Sequence, residues 1–245
     1  MLGFGELDNL QVVLVSARNP LNVGAVARAM SNFGFGRLSV VNPYRMAFRE
    51  ARSAVGASQV LQNAHEYDKL PDAISDCTLV VGTTAVRSRH LLHSLKRLEE
   101  GAKVIRKALK TNRVALLFGS EKFGLSNDDF SHCDWLMQIP TSKQNISMNL
   151  GHAVAVCLYE LVRDTRVEGS VPQPKPSLAT AGEAERICML FSEIMYMSGY
   201  LKRKPTRDAE ERIRRLVRRL RIPAGDVSAW LGILRQALWK MQNPS

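Results

Sequence analysis

The chain has 245 residues, 45% of them apolar, and 34 Lys and Arg against 23 Asp and Glu, a formal charge of +11. That is material for one medium domain plus a smaller one, with a basic surface of the kind that meets polyanions, most often nucleic acid. No stretch reaches the ~20 apolar residues of a membrane span and the opening MLGFGELDNL lacks a basic n-region, so a soluble cytoplasmic protein with no membrane partner is expected.

Gln11 to Val15 (QVVLV) is a short, β-branched apolar run and predicts a buried strand. A polar loop over Ser16 to Asn22 follows, then a helix over Val23 to Phe33 with Val23, Val26, Ala27 and Met30 on one face, ended by Gly34 and Gly36. Leu38 to Val41 predicts a second strand and Asn42-Pro43 a break. Glu50 to Val55 predicts a helical turn or two, and Pro71 opens another helix from its first position. Further strands are predicted at Thr78 to Gly82, Arg113 to Phe118 and Trp135 to Ile139, with helices at Arg97 to Leu109 and near Asn127 to Ser131. From Asn149 a smooth helical pattern runs to Leu161, and its early small residues Gly151, Ala153 and Ala155 require a close neighbour.

Strands of five or six residues alternating with helices predict an α/β fold, a parallel sheet covered by helices on both faces. Ligands bind such sheets at the carboxyl ends of the strands. The loops at Ser16, Thr83, Gly119 and Pro140 all follow strands, so they belong on one edge.

Residues 167–182 hold three prolines, two glycines and no apolar period, and read as a linker. Three amphipathic helices follow. The first starts at Glu183, with Ile187, Leu190, Phe191 and Ile194 on a stripe. The second runs Asp208 to Leu220, with Asp208 and Glu211 spaced as a capping box and a stripe of Ile213, Leu216, Val217 and Leu220. The third starts near Asp226 and buries Val227, Trp230, Leu231, Leu234 and Leu238. Between Leu201 and Arg221 ten Lys or Arg face three Asp or Glu, a local +7. That imbalance favours phosphate contact over a plain solvated face.

Cys77, Cys133, Cys157 and Cys188 form no C-x-x-C and lie beside apolar segments, as buried reduced thiols do. His90 and His93 are spaced like a metal pair, but no further ligand joins them and no metal site is expected. The Gly-rich dinucleotide fingerprint and the P-loop are both absent, and no Ser-centred nucleophile elbow or carboxylate pair stands out.

Three loop motifs remain at strand ends: NPLNVGAVAR from Asn19 to Arg28, FGSEKFGL from Phe118 to Leu125, and Ile139-Pro140 followed by Ser147-Met148-Asn149-Leu150. Together and in this order they resemble the SPOUT methyltransferases, in the TrmH/TrmJ branch that methylates RNA ribose. The resemblance covers about residues 10–163. With the basic helical tail it is most similar to the TrmJ group, which modifies nucleotide thirty-two in the tRNA anticodon loop.

The resemblance implies a methyltransferase domain over 1–166 with a C-terminal trefoil knot, an exception to the rule against knots, then the linker and a small all-α RNA-binding domain over 183–245. It implies a homodimer, bent S-adenosyl-L-methionine in the knot, and tRNA as substrate. Cofactor contacts would fall on Thr83, Thr84, Ala85, Gly119, Gly124, Ile139, Ile146, Ser147 and Met148. Arg28 matches the arginine given the catalytic role. A guanidinium is a very weak base, so it suits phosphate orientation and alkoxide stabilisation better than proton abstraction. Asn22 would position substrate or that arginine, or cap the helix. Glu121 would hold Arg28 or a substrate hydroxyl, or stand as an exposed loop carboxylate. Ser147 and Asn149 would close the site, or serve as N-caps. Arg87, Arg89, Lys143, Arg214, Arg215 and Arg218 are the expected tRNA contacts. A ribosomal RNA substrate and a non-catalytic RNA-binding factor on the same scaffold are the alternatives.

Overall fold

The computed structural model describes residues 4–43, 48–49, 59–85, 93–142, 144–163, 177–201 and 206–243. The expected turns at Glu50 to Val55, and also Arg87, Arg89, His90 and Lys143, lie outside the described residues.

A short helix α1 (Phe4–Leu7) precedes β1 (Leu10–Val15), α2 (Pro20–Phe33), β2 (Arg37–Val41), α3 (Gln59–Gln62), β3 (His65–Tyr67), α4 (Leu70–Ala73) and β4 (Leu79–Thr83). Then come β5 (Leu95–Arg97), α5 (Leu98–Leu109), β6 (Val114–Phe118), α6 (Asn127–Ser131), β7 (Trp135–Gln138) and α7 (Leu150–Arg163). All seven strands are parallel, in the order β3-β2-β1-β6-β4-β7-β5. The central strands are apolar along their whole length because helices cover both faces. Val12, Leu14, Val81 and Leu116 point into a core shared with α2, α5 and α7. Val13, Val80, Leu117 and Leu136 point the other way, onto Leu70, Ile74, Leu125 and Phe130. The four cysteines are free and buried, and burial pushes the Cys77 and Cys188 thiols up to about 12.

Two strands escaped the apolar pattern. β3 (HEY) and β5 (LKR) are short, polar and largely exposed, because each lies at an edge with only one sheet neighbour. The helix after β1 starts at Pro20, earlier than expected, with Pro at its first position. The small residues of α7 have the close neighbour they required. A Cβ on Gly151 would come within 2.7 Å of the Ala25 Cβ of α2.

Beyond the sheet, α8 (Ala181–Met197), α9 (Arg207–Leu220) and α10 (Val227–Gln242) share a core of Ile187, Cys188, Ile213, Val217, Ile222, Val227 and Leu234. α8 begins two residues before its expected start, through a Thr180/Glu183 capping box. The box expected of Asp208 and Glu211 is absent. The cap position falls on Thr206, without a side-chain bond. The stripe of α9 is also rotated from its expected line. Ile213 and Val217 are buried, but Leu216 and Leu220 are 42% and 46% exposed, and Arg218 is buried in their stead.

This module docks on the face that carries α4 and α6. The Ala181 amide donates to the Cys77 carbonyl (2.7 Å) and the Gly182 amide to that of Ser75 (2.9 Å). His132, just past α6, is enclosed at this junction. Burial, reinforced by Arg214 and Arg218, lowers its pKa to about 3. Its Nδ1 lies 3.9 Å from Glu185, but a neutral imidazole makes no ion pair there. On unfolding, His132 regains an ordinary pKa near ~6.5. Below that pH the unfolded state binds the extra proton, so this contribution is full above it and falls as pH drops toward 3. Urea denaturation between pH 7.5 and 5 should therefore show stability falling on acidification. His132→Gln should remove a share with a slope of about 1.4 kcal/mol per pH unit.

Candidate active site

β1, β6, β4 and β7 are neighbours in the middle of the sheet, so the loops that leave their carboxyl ends lie side by side. These loops carry the three motifs. After β1 the chain turns at Ser16, whose positive φ of 55° lets its amide reach the Val41 carbonyl at 2.9 Å. Asn19 then caps α2, its Oδ1 accepting from the Leu21 amide at 2.9 Å. Asn22 therefore is not the cap. It sits inside the first turn with its carboxamide available to neighbours.

That carboxamide joins all three motifs. Its Nδ2 donates to Glu121 Oε1 at 2.9 Å, and its Oδ1 accepts from Asn149 Nδ2 at 2.9 Å. Asn149 in turn caps α7, its Oδ1 accepting from the Gly151 amide at 2.9 Å. Residues separated by about a hundred positions thus form one hydrogen-bonded chain across the sheet edge.

Within the chain Glu121 binds backbone amides. Its Oε2 accepts the Arg18 amide and its Oε1 the Asn19 amide, both at 3.2 Å, beside the Asn22 bond. Burial pushes its pKa up, but the Asn22 bond and these amides outweigh burial, so the carboxyl stays below the usual range. It is a committed anion at the start of α2, where the helix dipole favours one. It holds the β1–α2 loop and does not hold Arg28. Arg28 is exposed on α2, on the same side as Leu21 and Ala25, with no hydrogen bond or ion pair among the described residues.

The Gly119–Gly124 loop is a closed turn. The Gly124 amide donates to the Ser120 carbonyl at 2.8 Å, and Gly124 has φ 67°, a conformation that suits glycine. Gly119 lies so near that a Cβ would stand 2.0 Å from the Gly124 carbonyl carbon. Thr83 and Thr84 are tied to the neighbouring strands, the Thr83 hydroxyl to the Leu117 carbonyl (2.8 Å) and the Thr84 amide to that of Met137 (3.0 Å). Ala85, Ile139 and Ile146 are half-buried, whereas Ser147 and Met148 are exposed. The Thr141 hydroxyl closes this last loop on the Ile146 carbonyl at 3.2 Å. Backbone polar groups and half-buried apolar side chains meet here, a lining that suits a nucleoside-like ligand.

The family described as "SpoU rRNA Methylase family" matches residues 9–159, the stretch that bears all three motifs. The chain belongs to the SpoU methylase family. It is 34% identical over 234 residues to a tRNA (cytidine/uridine-2'-O-)-methyltransferase TrmJ of Sodalis glossinidius, covering 93% of this chain and 91% of that protein. It is 33% identical over 246 residues to the tRNA (cytidine/uridine/adenosine-2'-O-)-methyltransferase TrmJ of Pseudomonas aeruginosa, with 94% of each covered. The crystal structure of TrmJ from Z. mobilis superposes with a TM-score of 0.78 at 27% identity, over 92% of this chain and 97% of that one. The match extends through the helical module.

Within this SpoU domain three supporting residues went unnoticed in the sequence: Asn19, Ser120 and Thr141. Asn19-Pro20 carried a usable signal, an N-cap residue followed by Pro at the first helical position. Ser120 and Thr141 carried none, since a hydroxyl bonding backbone within its own loop leaves no periodic trace.

Three of the arginines expected to meet tRNA are held in ion pairs within the chain. Arg214 and Arg218 are only 12% and 6% exposed in their side chains and are engaged with Asp128, Glu185 and Asp134. Arg215, 14% exposed, pairs with Glu211. None of the three presents a free guanidinium to solvent, because the sheet domain and the module's own carboxylates enclose them. The exposed cations of the same helix are Arg207, paired with Asp128, and Arg212 and Arg219, with Arg221 just after it. Gly119→Ala would drive a methyl into the Gly124 backbone. Thermal melting followed by circular dichroism should show a midpoint lower by roughly 2–10 °C.

Proposed function

We propose that the chain transfers a methyl group from S-adenosyl-L-methionine to a ribose 2′-hydroxyl of tRNA, at cytidine or uridine thirty-two of the anticodon loop. The observation that carries this reading is the Asn22 carboxamide bridging Glu121 and Asn149, because it unites the motif loops at the sheet edge where ligands of parallel sheets bind. The similarity to tRNA methyltransferases along nearly the whole chain, helical module included, favours tRNA over ribosomal RNA.

S-adenosyl-L-methionine would supply an electrophilic methyl on a sulfonium. Thr83, Thr84, Ala85, Gly119, Gly124, Ile139, Ile146, Ser147 and Met148 would hold it, in a chain threaded as a trefoil knot after β7. As the ribose oxygen takes the methyl, the carbon–sulfur bond would break to leave S-adenosyl-L-homocysteine, and the hydroxyl proton would pass to solvent water. The Arg28 guanidinium would stabilise the developing alkoxide or orient the flanking phosphate. Glu121, Asn22 and Asn149 keep the loops in register and take no proton.

A homodimer fits the same reading. The outer side of α2 and α7 exposes Leu21 (79%), Tyr159 (51%) and, just before α7, Met148 (37%). A second copy against this side would cover them and enclose Arg28. Arg87, Arg89 and Lys143 remain candidates for RNA contact, joined by the exposed Arg212, Arg219 and Arg221.

Replacing Arg28 with Ala should cut methyl incorporation into tRNA by at least about a hundredfold, while calorimetry shows S-adenosyl-L-methionine binding intact. Retained turnover would overturn the assignment. Arg212→Ala with Arg219→Ala should weaken tRNA binding on every sequence tested. It should also make the slope of log affinity against log salt shallower by roughly one to two.

A further inference from the structure

The arginines withdrawn from the RNA-facing surface form a group of their own. Arg214 reaches three partners at once. Its Nε donates to Glu185 on α8 at 3.1 Å, and its Nη1 to the Ser131 hydroxyl at 2.8 Å and toward Asp128 at 3.4 Å, both on α6. One turn later Arg218 lies 3.9 Å from Asp134, which also accepts the Val80 amide at 2.8 Å. Burial pushes the Asp134 carboxyl above its usual range, opposed by Arg218 and that amide. Arg207, at the start of α9, adds a pair to Asp128 at 3.2 Å.

The partners on the sheet domain are not scattered. Asp128, Ser131 and Asp134 belong to one segment, which joins the Gly119–Gly124 loop to β7 and so to the Ile139 loop. α9 therefore grips the link between two loops of the candidate site. Among the described residues, Ala181 is the one buried module residue that joins the core under the sheet. Buried ion pairs add little net stability, since desolvation offsets their attraction, but they penalise any docking that breaks them. Such pairs set orientation where a small apolar contact would let a module slide.

We propose that Arg214 and Arg218 are positioning residues: a buried latch that fixes the helical module to residues 128–134, so that the exposed cations of α9 and the methyl-transfer loops engage one RNA as a single rigid surface. This rests on the methyltransferase reading for its substrate. A latched module adds its phosphate contacts as an intramolecular event, and an unlatched one loses that advantage.

The test uses full-length protein carrying Arg214→Met, Arg218→Met or the milder Asp128→Asn. Steady-state methylation is measured with tRNA and S-adenosyl-L-methionine varied separately, and amide hydrogen exchange is read on the same proteins. The expected result is a KM for tRNA raised at least roughly tenfold, an unchanged dissociation constant for S-adenosyl-L-methionine, and faster exchange at residues 128–134 and at the start of α8. Arg214→Lys, which keeps the charge but not the fork, should recover part of the KM. An unchanged KM despite faster exchange would overturn the proposal, as would unchanged exchange. Loss of cofactor affinity in step with tRNA affinity would reduce the pairs to general stability and overturn it too. A wild-type protein inert on tRNA would sink the methyltransferase reading by itself. Exchange and direct tRNA binding would then decide the latch.

Discussion

The site depends on one side chain with two faces. A primary amide donates from nitrogen and accepts at oxygen, and Asn22 uses both, toward Glu121 and toward Asn149. No other residue of that size does this without a charge. Aspartate would face Glu121 with a second negative charge, and leucine would leave two partners unmet. The bond to the carboxylate is charge-assisted and so among the stronger ones available to a part-exposed site. Its geometry holds because each end is itself fixed, Glu121 by the Arg18 and Asn19 amides and Asn149 by the first turn of α7.

The arrangement explains why two helices begin at the same place. Free N–H groups and the dipole make a helix N-terminus attract negative charge or oxygen acceptors. Asn19 answers that demand at α2, with Glu121 binding the amides just before the helix, and the Asn149 carboxamide answers it at α7. Close packing of Gly151 against Ala25 then sets how near the two helices run. Sheet order, helix starts and side-chain bonds all agree on one edge, and this agreement leaves the loops of β4, β6 and β7 facing a common space.

Much of this was legible in the sequence because it is periodic. The five strands at the middle of the sheet are apolar runs covered on both faces, and their carboxyl-end loops followed from the alternation of strands and helices. The edge strands β3 and β5 were not, since His65, Glu66 and Arg97 are exposed, Lys96 lies over the Trp135 ring, and together they leave no apolar pattern. The role of Glu121 was not legible either. A carboxylate that binds backbone amides looks, in sequence, the same as one that binds substrate. The rotation of α9 shows the same limit more sharply. Its leucines predicted a stripe through Leu216 and Leu220, but Arg214 and Arg218 took the buried side because Asp128, Asp134 and Glu185 waited there, and nothing in the helix itself records what it will dock against.

The arginines of this helix are divided by geometry into a buried, paired set and an exposed set. Residues 214 and 218 lie one turn apart and share a side, as do 212, 215 and 219 on adjoining sides. Had the helix been amphipathic only by hydrophobicity, the module could have docked in several rotations with similar burial. With cations on the docking side, each wrong rotation would strand a guanidinium away from its carboxylate, a cost of several kcal/mol for a buried charge. The rotation that satisfies Arg214 and Arg218 is also the one that turns Arg212 and Arg219 to solvent. That rotation also fixes where these exposed cations stand relative to the loops at the sheet edge. A docking set by ion pairs fixes that relation more tightly than an apolar contact of the same area would.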